Sequence, residues 1–524
     1  MKKIYYCILM LAVCMLSSCF DDDGNYDYTT VDEIVIEGLG ESYTLNSYNG
    51  EVLEISPKIT SKYADLTYEW WMWSPDEENK GSTNWEEEEP YEAELISTEK
   101  DLHYTVECPI GLYTIMLKVT SASNGYFSMA TTSLNAQTMF TRGFYVLKET
   151  ADGNTELDLY NRDGEMMTDL LEATQNGPMQ GKPLSLGALQ AHSMLGEDNE
   201  SKAVHTLCVT TEDRQIAFFN TEDLEKVHDA ASIVTGGLDA SVVPYTAFTF
   251  GNSNYLLTSE GCNVAYISSM MPTSGAIGVP TRTGGGSQFV MSDGDYCAYY
   301  WNNEESRIDC TDNIQFGDLY TYDENGFSTA GMECLMCGLS QTDAKGYFLL
   351  EDNGGQRYIY EMEAPVIGAF APSPRTIGRQ EIPADSKLAS ATAFAVNART
   401  TNLLYFISDN QLYTYNLSNY TENPTPVTLS GIGAGEAITY LSYQWQDYTN
   451  DVENNFVHLV VGTQNGDNYK LYMYDIEAGI PRTLVCSFGG KGKVKMCVYM
   501  SPVLYNAMQN STQSSDWCSN SLPN

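Results

Sequence analysis

The stretch Gly346-Tyr347-Phe348-Leu349-Leu350, its turn Asp352-Asn353-Gly354-Gly355, and Tyr358-Ile359-Tyr360 decide how this chain folds. Aromatic and aliphatic residues on either side of a short polar turn predict two antiparallel strands, because such side chains suit a pleated, half-buried surface and Asn-Gly chemistry suits a tight reversal. Reading outward, the same theme returns. Towards the C-terminus, 403–407 pairs with Leu412-Tyr413-Thr414-Tyr415 across Asp409-Asn410, and 457–461 with 470–474 across Asn465-Gly466. Towards the N-terminus, 288–291 pairs with 296–301 across Ser292-Asp293-Gly294, 254–258 with 263–267 across Gly261, and 206–209 with 215–219 across Glu212-Asp213. The first hairpin joins Phe144-Tyr145-Val146-Leu147 to Leu157-Asp158-Leu159-Tyr160 through Asp152-Gly153-Asn154. Hairpins spaced about 40 to 60 residues apart are the mark of a β-propeller.

Seven hairpins predict seven blades over 141–505, with six or eight as neighbouring counts and stacked sandwiches as the rival architecture. The last strand, 494–500, has no hairpin partner after it. It is free to complete the first blade, which would remove the exposed edges that invite aggregation. One insertion, 223–234, reads as helical. The end of the chain, 506–524, is polar and expected to be loose.

Residues 30–140 read as a separate immunoglobulin-like sandwich, from about seven short strands in about 110 residues. Its clearest strands are Leu66-Thr67-Tyr68-Glu69-Trp70 and Gly111-Leu112-Tyr113-Thr114-Ile115-Met116-Leu117-Lys118-Val119-Thr120. These two strands resemble those of PKD-type domains, which implies Trp70 as the core tryptophan, and alternation sends Trp71 and Trp73 to the other face. There they would pack on the neighbouring domain or, as the second reading, stack on sugars or peptides.

The N-terminus speaks to location. Lys2 and Lys3 precede an apolar run from Ile4 to Leu16, then Ser17, Ser18 and Cys19. This is the charge, length and cleavage pattern of a secretory signal over 1–18. A cysteine behind small residues supplies the thiol that lipid attachment needs, so Cys19 is the expected lipidation site. Asp21, Asp22 and Asp23 follow, in a flexible acidic tether over 19–29.

Composition closes off several functions. The chain carries 70 Asp+Glu against 27 Lys+Arg, a net charge of −43. Such an excess repels nucleic acid and anionic lipid surfaces. Of the 13 cysteines, ten fall outside the signal and lipidation site, scattered mostly through strand-like runs where a thiol acts as a small hydrophobe. The one Cys-x-x-Cys, Cys334 to Cys337, would point its thiols to opposite faces of a regular strand, which argues against a shared metal. The five histidines, His103, His192, His205, His228 and His458, show no metal-ligand spacing. The acidic loops Asp76-Glu77-Glu78 and Glu86-Glu87-Glu88-Glu89 lack an EF-hand pattern. Gly284-Gly285-Gly286 lacks the Lys-Ser/Thr of a phosphate loop. No Gly-x-Ser-x-Gly or His-Glu-x-x-His motif occurs, and no cofactor or metal is expected.

Several segments resemble the PKD-like family of Bacteroidetes lipoproteins. They are Cys19-Phe20-Asp21-Asp22-Asp23, Tyr68-Glu69-Trp70 under the Gly-x-Tyr strand at Gly111, and Gly143-Phe144-Tyr145-Val146-Leu147-Lys148-Glu149 leading to Gly153-Asn154-Thr155-Glu156-Leu157-Asp158-Leu159. Gly181-Lys182-Pro183-Leu184 resembles a further family segment. The resemblance is strongest over the first third of the chain. It implies a PKD-type N-terminal domain and, from the acidic residues behind Cys19, export to the cell surface. It also implies an outer-membrane lipoprotein encoded beside SusC-like and SusD-like import components, serving as a non-catalytic binding or docking accessory for peptides or glycans. A propeller hydrolase acting on glycans or peptides is the alternative. A pocket of close carboxylates would favour the enzyme, and a shallow aromatic face the binder.

Overall fold

The computed structural model describes residues 34–47, 50–74, 93–161, 164–195, 201–250, 253–266, 274–278, 280–292, 297–312, 321–340, 345–363, 375–397, 400–446 and 456–500. Among them, strands dominate, with one short α-helix, Leu170–Gln175. No helix among them is long and apolar enough to cross a membrane. Contacts divide the chain into two compact units, one ending at Ala136 and one beginning at Gln137, which also takes in Asn46 and Ser47.

In the first unit a five-stranded sheet runs in the order Ser42–Asn46, Phe127–Gln137, Gly111–Ser121, Leu66–Trp73, Glu94–Ser97. Val52–Ile55 pairs with Leu102–Thr105, and Val35–Glu37 with Lys58–Thr60. Trp70 lies opposite Leu117 and is fully buried with Ile115, Val119, Leu102 and Leu134. Its indole N–H is satisfied by the Glu99 carbonyl at 3.1 Å, as a buried donor requires. Trp71 and Trp73 fall on the opposite face of the same strand, half-buried, across from Met116 and Thr114.

The second unit is β-propeller-like. Its hairpins each gain flanking strands and become small antiparallel sheets, seven among the described residues. The first sheet runs Met166–Met167, Thr155–Asn161, Gly143–Glu149, Lys493–Met500, so the last described strand pairs with the first hairpin. The second to seventh sheets begin at Pro183–Leu195, Pro244–Phe250, Val290–Ser292, Glu333–Ser340, Ala393–Val396 and Ala437–Gln446, with later strands following in chain order.

Each sheet buries one face on the next. Leu147 and Val498 of the first meet Leu186 and Phe219 of the second. Phe218 of the second meets Leu256 of the third, and Phe248 of the third meets Tyr300 of the fourth. Trp301 of the fourth meets Phe348 of the fifth, Tyr347 of the fifth meets Phe406 of the sixth, and Tyr405 of the sixth meets Tyr472 of the seventh. The seventh then packs on the first through Leu471, Phe488, Val146 and Cys497. Sheets buried on both faces explain why the hairpins read as nearly continuous apolar runs.

Two sequence expectations are corrected. The segment 223–234 is not helical. Lys226–Asp229 is the outer strand of the second sheet, with Phe218 opposite His228, and propensity there yields to an unpaired strand edge. Cys334 and Cys337 share one core with Cys310. A bulge between Cys334 and Met336 adds a residue to the strand, so positions three apart come to one face. Both thiols are buried, and burial pushes both of them up.

Candidate functional site

Five of the seven edge strands that begin these sheets carry a register shift just after their start. Opposite the second strand of each sheet, Pro183 and Ser185 face neighbouring residues, as do Pro244 and Thr246, Cys334 and Met336, and Ile438 and Tyr440. The fifth case sets Val494 and Met496 against Lys148 and Leu147. The extra residues are therefore Leu184, Tyr245, Leu335, Thr439 and Lys495. A bulge bends the strand and re-aims the side chain it inserts.

Two of these bulge residues, Thr439 and Lys495, line a cavity of about 310 Å³ at the junction of the seventh, first and second sheets. Its other walls are Glu149, Lys182, Pro183, Glu212, Gln464, Lys493 and Val494. Three consecutive residues, Lys493 to Lys495, share one cleft because the bulge breaks the alternation of the strand.

The frame around the cleft is hydrogen-bonded. The Gln464 amide donates to the Gly492 carbonyl at 2.9 Å and to that of Gly466 at 2.8 Å. The Gly492 amide donates to the Asp467 carbonyl at 2.7 Å. Gly492 has φ +111°, and a Cβ there would stand 2.6 Å from the Glu149 carbonyl oxygen. Only glycine turns the chain into Lys493 so close to its partner strand. Across the cleft, the Glu212 amide donates to the Lys182 carbonyl at 2.8 Å.

Electrostatically the cleft holds three ammonium groups and two carboxylates. Lys493 stands 3.7 Å from Glu149, a loose and partly screened pair. Lys182 and Lys495 have no carboxylate within 4 Å among the described residues. Several other described cations are paired with acids, as Lys58 with Glu37, Lys118 with Glu69, Lys387 with Asp409 and Arg357 with Glu351, while Arg214, Lys470 and Lys491, like Lys182 and Lys495, have no such ion pair among the described residues.

Cys19, Asp21, Asp22 and Asp23 fall outside the described residues, as do the acidic loops at 76–78 and 86–89. No group of three or more His, Cys, Asp or Glu among the described residues is placed to hold a metal ion. Lys182 was visible in the sequence as part of a family segment, without a role. Lys493 and Lys495 were overlooked, although Lys491-Gly492-Lys493-Val494-Lys495 is a dense basic run for so acidic a chain.

His192 and His228 pair with rings 5.4 Å apart. Their Nε2 atoms donate to consecutive carbonyls, Gly275 at 2.7 Å and Ser274 at 2.8 Å. Nδ1 of His192 then accepts from Thr206 at 2.9 Å, and that of His228 from Ser232 at 3.1 Å. Both rings are thus used as neutral imidazoles. Burial holds His192 down to about 4 and also lowers His228. The unfolded chain binds the proton first, so stability is full above pH ~6.5 and falls as pH drops towards 4, by ~3 kcal/mol for His192. Urea midpoints of the wild type should fall more between pH 7.5 and 5 than those of His192→Asn. Equal falls would contradict this assignment.

Comparison with known proteins adds a family relation for one part of the chain. Residues 19–183 match the PKD-like family. The matched PKD-like segment takes in the first unit's described strands and the first hairpin of the second, and ends at Pro183 in the cleft wall. No curated protein matches the chain. Among solved structures, a quinonprotein alcohol dehydrogenase-like protein from Bacteroides thetaiotaomicron is similar at 16% identity and TM-score 0.38, covering 89% of this chain and 99% of that one. The WD40 β-propeller domain of Doa1 is similar at 11% identity and TM-score 0.31, covering 62% and 89%. Dihydro-heme d1 dehydrogenase NirN is similar at 8% identity and TM-score 0.34, covering 75% and 74%.

Proposed function

We propose that this protein is a lipoprotein anchored through Cys19 in the outer membrane and facing the cell exterior. It binds or docks a ligand without catalysis, as an accessory component of a SusC/SusD-like importer of peptides or glycans. Its second unit is a seven-bladed β-propeller in which Lys493–Met500 completes the first blade.

One observation carries the binding reading. Lysines that lack acid partners gather in one solvent-facing cleft of a chain with 70 acidic and 27 basic residues. Like charges placed together repel, and a bound anion relieves what solvent, salt and the two cleft carboxylates leave uncompensated. The carboxylates in the cleft stand among lysines, and Glu149 is engaged by Lys493, an arrangement suited to holding a ligand in place. The signal pattern, Cys19 and its acidic followers support the location.

The test is a pull-down of the tagged chain from native membranes, with Cys19→Ala alongside. The wild type should fractionate with membranes and recover a SusC/SusD-like pair, while Cys19→Ala is released. A membrane-bound Cys19→Ala protein would refute the anchor. Recovery of the wild type without the pair would refute the accessory role.

A further inference from the structure

Resting on the binding role proposed above, we propose that the junction cleft is a subsite for a small carboxylate-bearing ligand. Lys182 and Lys495 pair with its charge, while Thr439 and Gln464 hydrogen-bond its hydroxyl or amide groups.

The charge count in the cleft selects the class. Three ammonium groups against two carboxylates leave one net positive charge among the lining residues. A monoanionic carboxylate neutralises it, whereas a phosphate dianion would overshoot and face Glu149 and Glu212. Lys182 and Lys495 lack acid partners among the described residues. Their ammonium groups are therefore free to engage a ligand without first breaking an internal ion pair. Such a pocket concentrates anions locally although the whole chain repels them, because field lines focus in a cleft.

The neutral lining groups point the same way. Gln464 spends its amide N–H groups on Gly466 and Gly492, which leaves its carbonyl oxygen as an acceptor. Thr439 is an exposed hydroxyl inserted by the bulge. A cavity of about 310 Å³ sits at the lower end of small-molecule sites, ~300 Å³ upwards. It therefore admits one sugar- or dipeptide-sized body rather than a polymer strand. The carboxylate of an acidic sugar and that of a peptide C-terminus share this chemistry.

Calorimetric titration of the detergent-solubilised full chain at low salt tests the proposal. The probes are galacturonate with its methyl ester, N-acetylglycylglycine with its amide, and inorganic phosphate. At least one acid should bind tenfold or more tightly than its neutral counterpart and weaken as salt rises. Which acid does so identifies the source. Lys182→Gln combined with Lys495→Gln should lose at least tenfold in affinity with an unchanged melting temperature, while Lys495→Arg should retain binding. Equal binding of acid and neutral probe, an unaffected double variant, tighter binding of phosphate, or no binding of either acid would each overturn the proposal. If the acids fail but the membrane pull-down still recovers the importer pair, the ligand class falls and the binding lipoprotein stands. If both fail, the reading beneath it falls as well.

Discussion

Lys148→Met is expected to lower the unfolding free energy by about 3–5 kcal/mol. The Lys148 ammonium is 1% exposed and lies 2.6 Å from Asp158, whose side chain is fully buried, and 2.7 Å from Asp169. Asp158 also accepts from the Tyr469 hydroxyl at 2.5 Å and from the Asp169 amide at 2.8 Å. Tyr469 belongs to the seventh sheet and Asp158 to the first, so this network ties the two ends of the second unit together. Glu156, one pleat away, accepts the Leu171 and Glu172 amides and so caps the helix Leu170–Gln175 from across the sheet. Burial pushes the Asp158 carboxyl up, against the pull of Lys148. Without the ammonium that carboxylate is left uncompensated, and the folded protein must either hold a bare charge or take up a proton. The variant's folded pKa at Asp158 therefore rises further, and its deficit against wild type should shrink as pH falls from 7 towards 5. Urea unfolding at the two pH values measures both effects. Pairing Lys148→Met with Asp158→Asn should restore part of the loss, because the neutral amide removes the bare charge and its oxygen still accepts from the Tyr469 hydroxyl or the Asp169 amide. A loss below about 1 kcal/mol would mean that the network is not buried as described.

Ending the chain before Lys493 should have the second large effect. The strand Lys493–Met500 pairs along the whole of Gly143–Glu149 and buries Met496, Cys497, Val498 and Met500. Side chains of this kind contribute together on the order of 10 kcal/mol, comparable to the 5–15 kcal/mol that roughly spans whole-domain stability. Hydrogen bonds from the seventh sheet are lost as well, since Gln444 donates to the Cys497 carbonyl at 2.7 Å. The shortened chain should lose its cooperative transition and associate through the open edge of Gly143–Glu149. Circular dichroism melts and gel filtration check this, and a monomeric chain melting as the full one does would contradict it.

How much of this could be read from sequence follows from the range of the interactions. Hairpins are local: Asp352-Asn353-Gly354-Gly355 and its flanking strands carry their turn chemistry and period in about fifteen residues, and they form as expected. Trp70 was legible as core through the resemblance of its strand and the long Gly111 strand to PKD-type domains. The bulges were not legible, since an extra residue is defined only against a partner strand, and so the two faces of Cys334 and Cys337 were misassigned. Lys148, Glu156 and Asp158 stood in view as parts of a family motif, but no local signal says that charged residues on a strand are buried together. The cleft draws Lys182, Glu212, Thr439, Gln464 and Lys493 from points more than 300 residues apart at the extremes. Only the register of the last strand on the first hairpin brings them together.

The pairing of that strand is therefore what most needs measuring, and native-state hydrogen exchange of the intact protein tests it. Amides of Lys493–Met500 should exchange as slowly as those of Gly143–Glu149, with both sets released by the same unfolding event. Fast exchange along Lys493–Met500 while Gly143–Glu149 stays protected would contradict the account, removing both the seventh-to-first junction and the cleft built on it.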